Sequence, residues 1–240
     1  MSRITTSLTI AAALCGNSLA LAQTVVLHYN NRPPYQVLQD GNLSGLTGSP
    51  SIAAFKSSGV PFSLAETPAT RQLETLKRNN GFDCGIGWFK NPEREEFAKF
   101  TKPIYQDESQ VALTLAGSSK LKTGDAIESV LANKDLTLLV KQSYSYGKAL
   151  DAMIEKAQPK RQSVTVENIL MFKMIEGKRA DYMFVAPEEA AVTIAAAGFQ
   201  QEQFNLVKLG NMPKGELRYI MCSKNVPDEI INKLNAAIKS

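Results

Sequence analysis

The sequence predicts an α/β protein. Short apolar or β-branched runs of strand length alternate with amphipathic helical patterns almost throughout, and turn-forming residues punctuate the boundaries between them. Strands alternating with helices of this length indicate parallel sheets flanked by helices. About seven such strands fit either one doubly wound sheet or two smaller ones, and periodicity does not choose between them.

Taken in order, the first strand is read at 24–29, followed by a loop with Arg32-Pro33-Pro34-Tyr35 and the turn-like Asp40-Gly41. A helix at 51–56 and a strand at 61–65 come next. The following helix starts at Thr67-Pro68, places Leu73 and Leu76 on one face and ends near Asn79-Asn80-Gly81. Residues 83–88 read as a buried strand, and an irregular segment leads to a strongly β-like run at 110–115. Gly117-Ser118-Ser119 is a small-residue stretch suited to a crossover. Alternation then resumes with helices at 125–131, 147–157, 167–176 and 188–197 and strands at 136–140, 163–166 and 181–185. Strands at 206–209 and 217–222 precede a last helix, whose Ile230, Ile231, Leu234 and Ile238 fall at helical spacing. Pro227-Asp228-Glu229 suits its first turn, where negative charge meets the positive dipole end. The sequence has no internal repeat and no low-complexity tract.

The N-terminus carries Arg3, an apolar stretch over 8–14 and the small-residue end Ala20-Leu21-Ala22, the pattern of a secretory signal peptide cleaved after Ala22. Asn17 and Ser18 interrupt the apolar run well short of the ~18 residues a membrane anchor needs. Cys15 lacks the apolar and small neighbours of a lipidation site. Beyond Gln23 no second apolar stretch is long enough to span a bilayer. The net charge of +4 is dispersed, with Lys and Arg interleaved with Asp and Glu, so no basic block points to nucleic acid.

Catalytic patterns are missing: there is no GxSxG, no GxGxxG after a strand and no P-loop. The one histidine, His28, sits on the first strand and reads as packed rather than as a base. Two cysteines remain after signal removal, Cys84 and Cys222, with no CxxC, which excludes a zinc site built on Cys and His. An oxidising compartment permits a disulfide between them, but sequence alone does not say whether the sulfurs meet. No metal and no cofactor is expected.

The informative stretch is Asp83-Cys84-Gly85-Ile86-Gly87-Trp88-Phe89-Lys90-Asn91-Pro92-Glu93-Arg94, followed by Phe100-Thr101-Lys102-Pro103-Ile104-Tyr105. A buried strand ends in small and aromatic residues, and the next loop delivers an arginine. In open α/β sheets ligands bind beyond the carboxyl ends of strands, and arginine there offers a rigid fork of donors for a carboxylate. The competing reading is a surface arginine paired with Glu93, Glu95 or Glu96.

With these residues the chain resembles the bacterial extracellular solute-binding proteins of family 3, the periplasmic amino-acid-binding group. A D-containing strand, a P-E-R triplet and an F-S/T-x-P-Y stretch match residues 83–105. The early Pro33-Pro34-Tyr35 and Asp40-Gly41-Asn42-Leu43-Ser44-Gly45, the S-Y-G at Ser145-Tyr146-Gly147, the G-x-x-D-Y element at 177–182 and the terminal S-K-x-x-P-D-E-I at 223–230 extend the match over nearly the whole mature chain. The resemblance implies two α/β lobes, each a mainly parallel sheet flanked by helices, joined by two crossover hinges. A signal at 1–22 would precede a first lobe at 23–108, a second at 109–208 and a return to the first at 209–240. It also implies a monomer that takes a small polar, carboxylate-bearing ligand in the interlobe cleft, closes over it, and serves an inner-membrane ABC permease or a sensor. Carried over by residue, Tyr35 would form an aromatic wall, Arg94 the carboxylate clamp, and Ser145 with the adjoining Tyr146 a set of hydroxyl and backbone N–H donors. Gly87 and Trp88 would lie at the strand end, with Trp88 stacking on the ligand. The resemblance also places Cys84 and Cys222 on two strands of one lobe.

Some positions depart from the family pattern. Where amino-acid binders carry an acidic residue for the α-amino group, an ungapped reading finds Ala186, with Glu188 and Glu189 just beyond; Glu188 is the candidate ligand residue of that loop. Gly87-Trp88-Phe89-Lys90 replaces a hydroxyl-rich run. The alternative to a binding protein is a periplasmic enzyme of the cyclohexadienyl or prephenate dehydratase type on the same fold. That chemistry needs an acid or base in the cleft, a role open to Glu188, Glu189 or Lys90.

Overall fold

A computed structural model describes residues 24–239 of the protein. The expected export signal at 1–22, Cys15 included, lies outside the described residues. The strands are β1 (Val25–Tyr29), β2 (Val37–Gln39), β3 (Asn42–Ser44), β4 (Phe62–Glu66), β5 (Asp83–Phe89), β6 (Ala98–Gln106), β7 (Val111–Leu115), β8 (Leu138–Lys141), β9 (Arg161–Val164), β10 (Tyr182–Val185), β11 (Phe204–Val207) and β12 (Leu217–Ser223). The helices are α1 (Gly48–Ser58), α2 (Ala69–Arg78), α3 (Pro92–Phe97), α4 (Ile127–Ala132), α5 (Lys148–Ala157), α6 (Asn168–Glu176), α7 (Pro187–Ala196) and α8 (Asp228–Ala237).

Two five-stranded sheets form, in the orders β4-β1-β5-β12-β6 and β11-β7-β10-β8-β9. Each is covered by helices on both faces, and the period of two along the strands divides the core accordingly. In the first sheet Val25, Leu27, Tyr29, Cys84, Ile86, Ile220 and Cys222 pack with Phe55 of α1 and Leu234 of α8. Met221 and Trp88 point the other way, to Leu76 of α2. In the second sheet Tyr182 and Phe184 face Leu131, Leu150 and Ile154, whereas Met183 and Val185 face Phe172, Ile175 and Ile194.

In each sheet four of the five strands run in one direction, mainly parallel as expected, and one strand runs against them. β12 runs antiparallel to β5 and β6, and β7 runs antiparallel to β10 and β11, while the other pairs are parallel. The antiparallel strands are those on either side of the passages between sheets. They arrive directly from the other sheet and not through a helix on their own, so nothing forces a parallel βαβ path on them. The chain passes from the first sheet to the second through residues 107–110 and returns through residues 208–216. Gly117-Ser118-Ser119 therefore follows the first passage, as a turn after β7, and takes no part in a crossover.

Two strand regions escape the sequence pattern. β6 fills much of the segment read as irregular: Lys99, Lys102 and Pro103 break its alternation, which an edge strand paired only with β12 tolerates. The early loop contains the hairpin β2–β3, whose turn is Asp40-Gly41 with φ of 50° and 73°, the two positive values a tight hairpin turn requires. No helix among the described residues is long and apolar enough to cross a membrane.

Candidate ligand cleft

Between the two sheets lies a cavity lined from one side by Asn30, Arg32, Gln36, Gly87, Trp88, Arg94 and Arg218 and from the other by Lys141, Tyr144, Ser145, Tyr146, Asn168 and Glu189. The end of β5 shapes the first wall. Gly87, at φ 76°, stands where the β5–β12 register slips, and its carbonyl accepts a bond from an Arg218 Nη at 2.9 Å. A positive φ of this kind favours glycine. A Cβ at Gly87 would also meet the Thr47 hydroxyl at 3.0 Å. The next residue, Trp88, donates its indole N–H to Gln72 Oε1 at 3.1 Å, which fixes the ring.

Arg94 comes from α3, a short helix whose start is fixed by Pro92 in its first turn and by the Asn91 side chain accepting from Arg94 N at 2.9 Å. The Arg94 side chain is buried, lies over the Trp88 ring at 4.9 Å and donates one bond to the Phe89 carbonyl at 2.8 Å. It makes no ion pair with Glu93, Glu95 or Glu96; those acids face outward, two of them paired with Lys77 and Lys90. Burial lowers the Arg94 pKa, with Asp151 the foremost opposing charge.

On the facing wall, the turn before α5 gathers polar groups around Asp151. Its carboxylate accepts from the Ser145 hydroxyl and, at 2.8 Å, from the Tyr146 backbone N–H. The donors expected to meet a ligand anion are thus turned onto the chain's own carboxylate. Burial nonetheless raises the Asp151 pKa, against those hydrogen bonds. Lys141, buried under the Tyr144 ring, reaches Glu167 at 2.7 Å.

The two walls are tied by Arg32. Its Nε and an Nη each lie 2.6 Å from one oxygen of Glu189, in the first turn of α7, and another Nη donates to the Tyr144 hydroxyl at 2.6 Å. Asn168 adds a fourth contact, its Nδ2 donating to Glu189 Oε1 at 2.8 Å. Burial works to raise the Glu189 pKa, but the Arg32 charge outweighs it and holds the carboxyl below its ordinary value. Arg32 sits beside the cis Pro33–Pro34 bond in a turn closed by its own pairing with Gln36.

Gly87, Trp88, Arg94, Ser145 and Tyr146 are thus brought around one cavity. Tyr35 and Glu188 meet each other outside its lining. Tyr35 is fully buried beneath the guanidinium groups of Arg32 and Arg218, at 5.0 Å and 4.1 Å from the ring centre. Glu188 Oε1 accepts from the hydroxyls of Tyr35 and Tyr105 and from the Glu108 backbone N–H at 3.2 Å, and so bears on the first passage between sheets. Burial, with Glu188 adding to it, pushes the Tyr105 hydroxyl up to about 12. Cys84 and Cys222 face each other on β5 and β12 with their sulfurs 2.07 Å apart, bonding distance. His28 is bonded to Thr67 and Asp83, 2.9 Å each, and ties β1 to its neighbours.

Sequence reasoning passed over Arg32, Lys141, Tyr144, Asn168 and Arg218 as cleft residues, and named Glu189 only as an acid or base for the dehydratase alternative. Arg32 and Glu189 were each visible beside a motif, Pro33-Pro34-Tyr35 and the α7 start respectively, but their pairing spans 157 residues and no local spacing signals it. Arg218 lies on the last strand, where its charge looks like an ordinary surface position.

The protein belongs to the bacterial extracellular solute-binding proteins, family 3, whose model matches residues 24–240. The comparison with curated proteins gave no match. Among solved structures it is similar to holo ArgBP from T. maritima, at 17% identity and a TM-score of 0.68, covering 90% of this chain and 89% of that one. An ancestral arginine-binding protein bound to glutamine gives 17% identity, a TM-score of 0.70 and 90% coverage of both chains. ArtJ, the arginine-, lysine-, histidine-binding protein of Geobacillus stearothermophilus, gives 16% and 0.68, with 90% of this chain and 87% of that one covered. At these identities the likeness shows the shared two-lobed fold.

Proposed function

We propose that the protein is a periplasmic solute-binding protein that captures a small carboxylate-bearing ligand between its lobes and presents it to an inner-membrane ABC permease or a sensor. The observation that carries this reading is Arg94: a buried guanidinium at the strand end, lining the interlobe cavity, with a single carbonyl as its hydrogen-bond partner among the described residues. Such a group binds an anion through short charge-assisted bonds, and closing the lobes strengthens them by excluding water. The two passages between sheets are the hinges about which ligand-favoured closure takes place, and family membership and the arginine-binding neighbours support a binding role.

The dehydratase alternative has less to stand on. Lys90 is half-exposed and paired with Glu95, Glu188 lies outside the cavity lining, and both oxygens of Glu189 are held by Arg32. Lys90 and Glu189 are held in ion pairs and Glu188 stands outside the lining, so none of the three is placed to move a proton to or from a bound substrate.

The test is a thermal-shift screen against small carboxylates, amines and amino acids, followed by titration of the best hit into the parent and Arg94→Ala. Loss of the fork weakens binding roughly 30-fold or more, at tenfold per ~1.4 kcal/mol. Arg94→Lys restores little, because an ammonium lacks the planar fork. Unchanged affinity in Arg94→Ala would refute the reading.

A further inference from the structure

The cleft holds a charge account that nearly closes on itself. Glu189 takes both bonds of Arg32 and one from Asn168; Asp107 takes both bonds of Arg218; Glu167 takes Lys141; Asp151 takes the Ser145 hydroxyl and the Tyr146 N–H. Each of these carboxylates is therefore engaged by the chain itself. On the cationic side Arg94 alone among Arg32, Arg94, Lys141 and Arg218 has no carboxylate within ion-pair distance, among the described residues. The cavity thus presents one guanidinium to a ligand's anion and no unengaged carboxylate to a ligand's cation. The rest of its lining mixes apolar side chains such as Met171, Met183 and Phe184 with uncharged polar ones such as Asn30 and Gln110.

We propose that the Arg32–Glu189 pair is a specificity filter: the chain's own guanidinium occupies the one carboxylate lining the cavity, so the cleft selects carboxylates that carry no ammonium group over α-amino acids. The proposal rests on the reading of this cleft as the ligand site. An α-ammonium group brought into the closed cleft meets amide oxygens but no carboxylate in the lining that is free of a cation, and a buried ammonium without a counter-charge is strongly disfavoured. Glu189 offers it little net attraction, because the Arg32 guanidinium already neutralises that carboxylate and repels a second cation brought beside it. The amine-free counterpart incurs neither cost. Rejection works by leaving the wrong ligand's charge unpaired, a form of discrimination available only in a desolvated site.

Isothermal titration of the mature protein with matched series tests this: L-alanine against pyruvate and propanoate, and L-phenylalanine against phenylpyruvate and 3-phenylpropanoate, with L-arginine, L-glutamine and the best hit of the screen alongside. An amine-free acid binds, and its α-amino counterpart binds at least roughly 30-fold more weakly. Arg32→Met, which keeps much of the stem but frees Glu189, reduces that ratio at least tenfold, whereas Arg32→Lys, which keeps a cation on Glu189, preserves it. If an amino acid binds the parent as tightly as its amine-free counterpart, or the best hit carries an ammonium group, the filter is overturned while the ligand-site reading stands. If Arg32→Met folds and leaves the ratio unchanged, the pair is structural and the filter is likewise overturned. Should Arg32→Met fail to fold, the parent's ratios decide alone. If no compound binds the parent, the ligand-site reading fails and the filter with it.

Discussion

Asp107 and Arg218 meet at the junction of the two passages between sheets, with Nε 2.5 Å from Oδ1 and an Nη 2.6 Å from Oδ2. Asp107 opens the outgoing passage and Arg218 follows the returning one; the Asp107 N–H also donates to the Glu216 carbonyl at 3.0 Å. Both side chains are buried, and burial works to lower the Arg218 pKa while the Asp107 charge outweighs it and keeps the guanidinium ionised. Removing one member of a buried pair leaves the other charge uncompensated, which costs about 3–5 kcal/mol. Arg218→Met is expected to lower unfolding stability by that amount in urea titration, and Arg218→Met combined with Asp107→Asn to recover part of it. A loss under ~1 kcal/mol in the single variant would show that the pair contributes little.

Gly215 marks the close crossing of the same two passages. A Cβ there would stand 1.8 Å from the Asp107 carbonyl oxygen and 2.5 Å from that of Glu108, both backbone atoms that cannot swing aside. Gly215→Ala is expected to destabilise the fold by about 1–3 kcal/mol, the usual range for forced overpacking, measured by denaturant unfolding. Gly117→Ala is not a matched control despite its open surroundings, because its φ of 78° adds backbone strain of a different kind.

Cys84 and Cys222 occupy facing positions on the antiparallel pair β5–β12, 138 residues apart in sequence. A bond there constrains a long loop of the unfolded chain, and its loss is expected to cost about 2–4 kcal/mol. Thiol titration of the unfolded, unreduced protein should find no free thiol from this pair, and Cys84→Ala with Cys222→Ala should lower the thermal midpoint. Two free thiols per mature chain would exclude the bond.

Glu189 gives the cleft a pH dependence of definite sign. Its folded pKa is depressed, so its pairing stabilises the folded state fully above the ordinary glutamate value of about 4.3 and loses that contribution as pH falls through the lower folded value. Thermal midpoints should therefore decline on acidification below about pH 4, and Glu189→Gln should show a shallower decline over the same window. Equal slopes for the two proteins would mean that the carboxylate contributes nothing to acid sensitivity.

The helix–strand alternation was enough, from the sequence alone, to establish an α/β protein and to locate nearly every element of both sheets, because a strand buried on both faces and an amphipathic helix each leave a local, periodic trace. The local reading singled out Arg94 after a buried strand, and the family resemblance added Gly87, Trp88, Ser145 and Tyr146; all five line the cavity, at strand ends or helix starts where chemistry and chain geometry are linked. It missed β6, since an edge strand pairs on one side only and tolerates Lys and Pro without a clear period. It did not single out β7 and β12 as the one opposed strand of each mainly parallel sheet, because their direction depends on how they cross between sheets and not on their own residues. The tertiary structure alone decided the pairings Arg32–Glu189, Asp107–Arg218 and Ser145–Asp151. The first two join residues more than a hundred positions apart, and the third is a choice of partner for a hydroxyl. A buried charge takes whichever opposite charge the fold brings within reach, so the electrostatics of the cleft exist only once both sheets are assembled around it.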